Sequence, residues 1–306
     1  MIISRAPMRI TLGGGGTDLP SYYSKYGGFL IAGAIDKYCN ITAHKRFYDS
    51  IRLSYSETEI VNNISEIKHR IFRTALELVG INHSIELFSA ADVPSGCGLG
   101  SSSSFTVALL HALHVYNKEY PTQKYLAEEA CRIEIDLMKE PIGKQDQYIA
   151  AFGGLTCLTF EKDGTVIIEP LSISDDNIDE LEGRLLLFFT GKERSASDIL
   201  REQDNKSKQE DHSMIDNLHQ IKEIGFQTKK YLESGNPVYC FTKRFVNSTG
   251  IRHRPCLFSF YYFSCGERQW HRRCFRIYAL CRCGCRPRLP FHLFASVPSR
   301  TMTVPC

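Results

Sequence analysis

The sequence predicts a mixed fold of strands and helices in about two domains, on three observations. Stretches rich in β-branched and apolar residues alternate along the chain with stretches whose apolar residues recur every three or four positions. A length of 306 residues suits about two units of ordinary size, and 43% hydrophobic residues supply ordinary packed cores. Glycine-rich strings at 13–16 and 96–100 then break the pattern where no regular element can continue.

Taken in order, residues 2–11 alternate loosely and read as a first strand. The loop Gly13-Gly14-Gly15-Gly16-Thr17-Asp18-Leu19-Pro20 follows, and four consecutive glycines cost so much backbone entropy that something must need the space. Residues 28–41 and 51–54 favour strands. Ile64, Ile67, Ile71, Ala75 and Leu78 recur at helical spacing up to a C-cap at Gly80. Residues 85–90 form a strand running into the second glycine string. Two helices are predicted at 105–116 and 122–138, the second amphipathic and carrying Glu128, Glu129, Glu134 and Asp136. Pro141 to Tyr148 reads as a short turn, 156–160 as a strand and 184–189 as another. A polar helix to about residue 207 and a helix over 214–233 complete the pattern, which contains no repeat.

Charge divides the chain in two. Residues 1–250 hold 27 Lys and Arg against 33 Asp and Glu, a net of −6, whereas 251–306 hold ten Arg, no Lys and one acid, Glu267, a net of +9. Cysteine follows suit, with five scattered singly before residue 250 and seven after it. The scattered five suit a reduced enzyme rather than a disulfide framework. The apolar run 185–189 is far below the roughly 18 residues needed to cross a membrane, and the N-terminus lacks a signal peptide's plan. A cytoplasmic location is expected, with neither membrane nor nucleic acid as partner.

The second glycine string is built to hold an anion. Gly96, Gly98 and Gly100 permit positive φ and let the backbone aim successive N–H groups at a ligand, and Ser101 to Ser104 sit where a helix would begin. A nucleotide phosphate is the natural guest, although the string is neither GxxxxGK[ST] nor a dinucleotide fingerprint with its acid about 20 residues on. Arg9 and Asp18 flank the four glycines, and Lys144 and Asp146 lie in the later turn. Together these are parts of a phosphoryl-transfer site. Taken singly they leave other readings open: Asp146 as a turn former, Arg9 as a surface cation, Glu134 as the solvated face of a helix.

The three segments together resemble the GHMP kinase family of galactokinases, homoserine kinases, mevalonate kinases and phosphomevalonate kinases, over roughly residues 1–235. Arg5-Ala6-Pro7-Met8-Arg9-Ile10 through Asp18 is similar to its first motif, 94–104 to its phosphate motif and Gly143-Lys144-Gln145-Asp146 to its catalytic segment. Four glycines before Thr17-Asp18, with Gly143-Lys144-Gln145-Asp146-Gln147-Tyr148, is the version most similar to the heptose 7-phosphate kinases of that family.

The resemblance implies an α+β two-domain fold: an N-terminal domain of the ribosomal-protein-S5 type over 1–165, an incomplete ferredoxin-like domain over 166–235, and an anomalous tail at 236–306. It implies ATP and Mg²⁺ as cofactors and transfer of a phosphoryl group to the anomeric hydroxyl of a phosphorylated heptose. A galactose- or fucose-type sugar 1-kinase and a non-catalytic nucleotide-binding remnant are the alternatives. Asp146 matches the residue that accepts the hydroxyl proton and Arg9 its supporting cation. Ser102 and Glu134 match the metal ligands. Pro94, Ser95, Gly96, Cys97, Gly98, Leu99, Gly100, Ser101, Ser102 and Ser103 match the phosphate loop. Gly16, Thr17, Asp18, Lys144 and Arg194 match the substrate side, with Arg194 suited by its fork to a sugar phosphate.

After Pro237 the family's third glycine-rich motif is absent. A zinc or nucleic-acid tail fits poorly, since Cys281-Arg282-Cys283-Gly284-Cys285 lacks paired CxxC spacing. Translation out of frame explains the tail better. A forward shift of one nucleotide turns the Trp270 codon into a glycine codon, and the codons of residues 272–275 then allow Gly-Gly-Ala-Phe. The expectation is a chain poorly folded past residue 235 and nearly inactive, cut first by proteases at 235–244.

Overall fold

The structure, a computed structural model, describes residues 1–185, 187, 196–235, 258–259 and 278–279. A seven-stranded sheet is assembled around one long strand, β2 (Gly28–Lys45). β1 (Ile2–Gly13) runs antiparallel along one edge of β2, from Ile2 opposite Ala43 to Gly13 opposite Ile31. The other edge is divided. Its first half pairs with β6 (Leu155–Phe160), which carries β7 (Val166–Pro170), and its second half pairs with β5 (Ile85–Ala91), followed by β3 (Ile51–Ser54) and β4 (Thr58–Val61). β3 and β5 are parallel; the other pairs in this sheet are antiparallel.

The sequence of β2 records what lies on each face. Phe29, Leu30, Ile31 and Ala32 are all buried because helices cover both sides of this half. Leu30 and Ala32 pack with Ala127 of α4 (Gln123–Cys131) and Ile149 of α5 (Gln145–Phe152), while Phe29 and Ile31 pack on Leu181 of α6 (Asp175–Arg184) and Leu232 of α8 (His212–Glu233). Further along, Ile41 and Ala43 are buried but Thr42 and His44 are not, the alternation of a strand covered on one face. That covered face packs on α2 (Arg70–Val79) and α3 (Ser101–Tyr116) through Phe72, Ala75, Leu109 and Leu113.

Several boundaries differ from the sequence expectation, each for a local reason. The helix expected from Ile64 begins only at Arg70, after a short 3₁₀ turn at Ile64–Glu66. Glu59 of β4 accepts the backbone N–H of Lys68 at 2.7 Å and of His69 at 3.3 Å, which holds that stretch extended. The Gly80 C-cap is left-handed as expected, at φ 76°. α3 starts at Ser101 rather than 105. α4 ends at Cys131 and continues as a π-helical turn, Arg132–Leu137, where one long helix was expected. The turn expected around Lys144 and Asp146 is instead the start of α5, so Asp146 lies in a helix's first turn. Helix α1 (Pro20–Tyr26), β4, α6 and β7 were not legible.

β7 starts at Val166, where the second domain was expected, and is an edge strand of this same sheet. Arg184, the first residue of the expected strand 184–189, closes α6, and of its other positions only 185 and 187 are described. α7 (Ala196–Lys208) matches the polar helix expected there. The readings of the 236–306 tail lie outside the described residues, apart from Phe258–Ser259 paired antiparallel with Tyr278–Ala279. Among the described residues no helix is long and apolar enough to cross a membrane.

Candidate active site

Arg9 and Asp146, 137 positions apart, meet as a bidentate pair: Arg9 Nε donates to Asp146 Oδ1 at 2.7 Å and Nη2 to Oδ2 at 2.9 Å. Arg9 sits beside a register shift, where β1 advances from Pro7 to Arg9 while β2 advances from Tyr38 to Ala34. Its Nη1 donates to Gly98 O at 2.8 Å and its backbone N–H to Leu99 O at 3.0 Å. One guanidinium therefore fixes the glycine string to the carboxylate. The Arg9 side chain is 9% exposed and that of Asp146 22%, so the pair faces solvent by its acid. Each carboxylate oxygen spends one lone pair on Arg9 and keeps one for a further donor.

The glycine string has the backbone an anion site needs. Gly96, Gly98 and Gly100 hold φ of 78°, 72° and 73°. Gly100 is the N-cap of α3 and no side chain caps the helix, so the amides of Ser101, Ser102 and Ser103 have no intrahelical partner. A Cβ at Gly100 would lie 3.1 Å from Asp146 Oδ2 and 3.3 Å from Arg9 Cγ, so only glycine lets the string rest against the pair. Pro94, Ser95 and Gly98 are exposed and Gly96, Cys97 and Ser101 half-buried. Leu99 is buried and serves through its carbonyl.

Glu134 lies on the π-helical turn, a feature frequent at functional sites. It is 1% exposed. Its Oε1 accepts from Ser102 Oγ at 2.7 Å, and its Oε2 accepts from Ser103 Oγ and Gln147 Nε2, each at 2.7 Å. Burial raises its pKa and the charge of Asp146 adds to the rise, against those three neutral donors. Among the described residues no cationic side chain pairs with it. Ser103, expected at the nucleotide, is instead buried with its hydroxyl on Glu134.

The four-glycine loop is a joint within the fold. A Cβ at Gly14 would overlap the Phe29 carbonyl of β2, and Gly225 of α8 brings its own Cβ position within 3.2 Å of Gly14 Cα. Gln203 of α7 donates to Gly16 O at 2.8 Å. Thr17 is fully buried, its hydroxyl between Gly14 O and Phe29 O. The space the glycines need is thus taken by β2, α7 and α8. Asp18 is 2% exposed, and its oxygens accept from Gly16 N at 3.2 Å, Gln145 N at 3.2 Å and Gln145 Nε2 at 3.4 Å. Burial raises its pKa, with Asp146 adding to the effect. Gly16, Thr17 and Asp18, expected on the substrate side, form the floor beneath the Asp146 helix.

Lys144 is turned from the pair, with Nζ on Gly164 O at 2.8 Å and over the Tyr23 ring. Arg194 lies outside the described residues. Sequence reasoning passed over Gln145, which ties Asp18 to Thr11 by accepting its hydroxyl at 2.7 Å, and over Gln147 and Gln203. Two glutamines flanking Asp146 were the available signal, since their amides can both donate and accept beside a carboxylate.

Residues 64–154 match the model of the GHMP kinases N terminal domain. The chain is 33% identical over 244 residues to D-glycero-alpha-D-manno-heptose 7-phosphate kinase of Campylobacter jejuni, covering 76% of this chain and 71% of that one. To galactokinase of Pyrococcus furiosus it is 28% identical over 212 residues, covering 63% and 54%. Its fold is similar to a D-glycero-D-manno-heptose 1-phosphate kinase from Bacteroides thetaiotaomicron, at a TM-score of 0.68 and 24% identity over 82% of each chain. It is similar also to Lactococcus lactis galactokinase complexed with galactose, at 0.54 and 16% over 79% and 73%. With a relative this similar matched over most of its length, the chain belongs to the GHMP kinase family.

Proposed function

We propose that the protein is a carbohydrate kinase that transfers the γ-phosphoryl group of ATP to the anomeric hydroxyl of D-glycero-D-manno-heptose 7-phosphate, giving the 1,7-bisphosphate. The observation that carries this reading is the Arg9–Asp146 pair fastened to the glycine string at the start of α3. The choice of sugar is supported by the heptose 7-phosphate kinase relative.

The nucleotide phosphates lie against the amides of 96–103, at the positive end of α3. The sugar hydroxyl donates to the free lone pair of an Asp146 oxygen, and Asp146 takes its proton as the sugar oxygen attacks the γ-phosphorus and the bond from that phosphorus to the β-phosphate oxygen breaks, releasing ADP. Arg9 keeps the carboxylate aimed and offers its charge to the transferred group. Asp18, through Gln145, sets the angle of the helix that carries Asp146. Ser102 and Glu134 fit Mg²⁺: both are hard oxygen donors, 2.7 Å apart, and the buried carboxylate meets only neutral partners. Held by Ser102 and Glu134, such an ion would supply positive charge to offset the charge that develops on the phosphates. Arg194 is assigned to the sugar phosphate.

Phosphorylation of heptose 7-phosphate, galactose and fucose, followed with ATP and Mg²⁺, tests the reading. Preferred turnover of the heptose phosphate is expected. Faster turnover of an unphosphorylated sugar would replace the substrate, and ATP binding without turnover on any of the three would leave a nucleotide-binding remnant.

A further inference from the structure

Gln147 follows Asp146 on α5, and its side chain is fully buried. Its amide nitrogen donates to Glu134 Oε2 at 2.7 Å. Its amide oxygen is buried and has no hydrogen-bond partner among the described residues. Leaving such an acceptor unpaired is unfavourable, and an apolar side chain of the same shape would avoid that cost. Reversing the amide would set oxygen against the Glu134 carboxylate, so Glu134 dictates its orientation. All the polar capacity that Gln147 uses goes to Glu134.

We propose that Gln147 is the positioning residue that aims Glu134 at the metal and ties the metal site to Asp146 through one turn of α5. The inference rests on the reading of Glu134 as a Mg²⁺ ligand. Glu134 comes from a π turn, whose side chains leave the regular helical register, so its carboxylate needs fixing from outside. Three donors do this: Ser102 and Ser103 from α3, and Gln147 from α5. Ser102 is exposed and is itself assigned to the metal, which leaves Ser103 and Gln147 as the buried pair on Oε2. Of these only Gln147 is the chain neighbour of Asp146, so a shift of the metal ligand moves the element that holds the acid. Partners that orient a metal ligand are worth about 10–100-fold in metal affinity.

Binding of Mn²⁺ to the enzyme with a non-hydrolysable ATP analogue, followed by the electron paramagnetic resonance of free Mn²⁺, tests this on four proteins: wild type, Gln147→Met, Glu134→Gln and the double variant. Gln147→Met is expected to weaken Mn²⁺ binding about 10–100-fold, to keep or raise the melting temperature, and to add nothing in the Glu134→Gln background. Wild-type Mn²⁺ affinity in Gln147→Met, with affinity lost in Glu134→Gln, would overturn the role of Gln147 and leave the metal reading standing. Unchanged affinity in Glu134→Gln would remove both. Gln147→Asn, which keeps the amide but withdraws it by one methylene, is read in the same way should the methionine variant not fold.

Discussion

Asp146 and Gly143 show how narrowly the site is drawn at the scale of single residues. Replacing Asp146 with Asn keeps one acceptor for Arg9 but turns an NH₂ toward its other nitrogen and removes the group that takes the proton. Turnover is expected to fall by about 10²–10⁴, the usual worth of a general base, with ATP affinity nearly unchanged in a direct nucleotide titration. An unaltered kcat would take Asp146 out of the mechanism. Gly143 lies against Asp18, and a Cβ there would overlap the carboxylate and approach the Asp18 carbonyl at 3.0 Å. Gly143→Ala should therefore push Asp18 off the Gln145 amide and cost about 1–3 kcal/mol, as overpacking does. Chemical denaturation would measure it, and a wild-type midpoint would show that the floor yields freely.

At the scale of elements, α3 and α4 are joined by a charged clasp away from the site. His114 donates through Nδ1 to Glu119 at 2.5 Å and through Nε2 to Glu129 at 2.6 Å, an imidazolium with a carboxylate at each nitrogen. Tyr125 also donates to Glu129, and His111 is the neighbouring ring. Burial alone would lower the His114 pKa, but the hydrogen bonds and charges of Glu119 and Glu129 outweigh it and the net shift is upward from 6.5. A raised folded pKa gives stability that is complete below 6.5 and is lost as pH climbs through the raised value. His69 and His111, lowered by burial, act in the opposite sense. The difference in melting temperature between wild type and His114→Gln should accordingly shrink as pH rises above 6.5; a constant difference would sink the clasp.

Elements with strong local pattern were legible: β1, β2, the end of α2 at Gly80, α3 and α8. What escaped depended on distant partners. The late start of α2 follows from Glu59 reaching Lys68 and His69, and nothing in residues 64–69 announces it. The π turn is likewise silent in the sequence, so Glu134 seemed as much a solvated helix face as a ligand. Arg9 and Asp146 were legible as candidates, but the bidentate geometry and the tie to Gly98 needed the register shift in β1.

For the molecule as a whole, the change of composition in the last part of the chain bears on a prediction about activity. From the charge reversal, −6 over 1–250 against +9 over 251–306, and the missing third glycine motif, we propose that the reading frame changes near residue 237. A gene re-encoded from residue 237 onward in the forward-shifted frame should give a protein that phosphorylates heptose 7-phosphate faster than this 306-residue chain. Side-by-side rates at matched concentration decide it, equal rates counting against the shift.

The four-glycine loop has a consequence for the order in which the molecule can be assembled. Its shape depends on Gln203 and Gly225, about two hundred positions further along the chain. A ribosome has released the strand, the phosphate loop and the acid helix long before either arrives. Until then the loop rests on β2 alone, with the Phe29 carbonyl against Gly14 and no partner yet for Gly16 O from α7. Contacts of such long sequence separation form late because loop closure must precede them. The loop therefore reaches its final packing only after α7 and α8 have been made, well after the glycine string at 96–100 and α5.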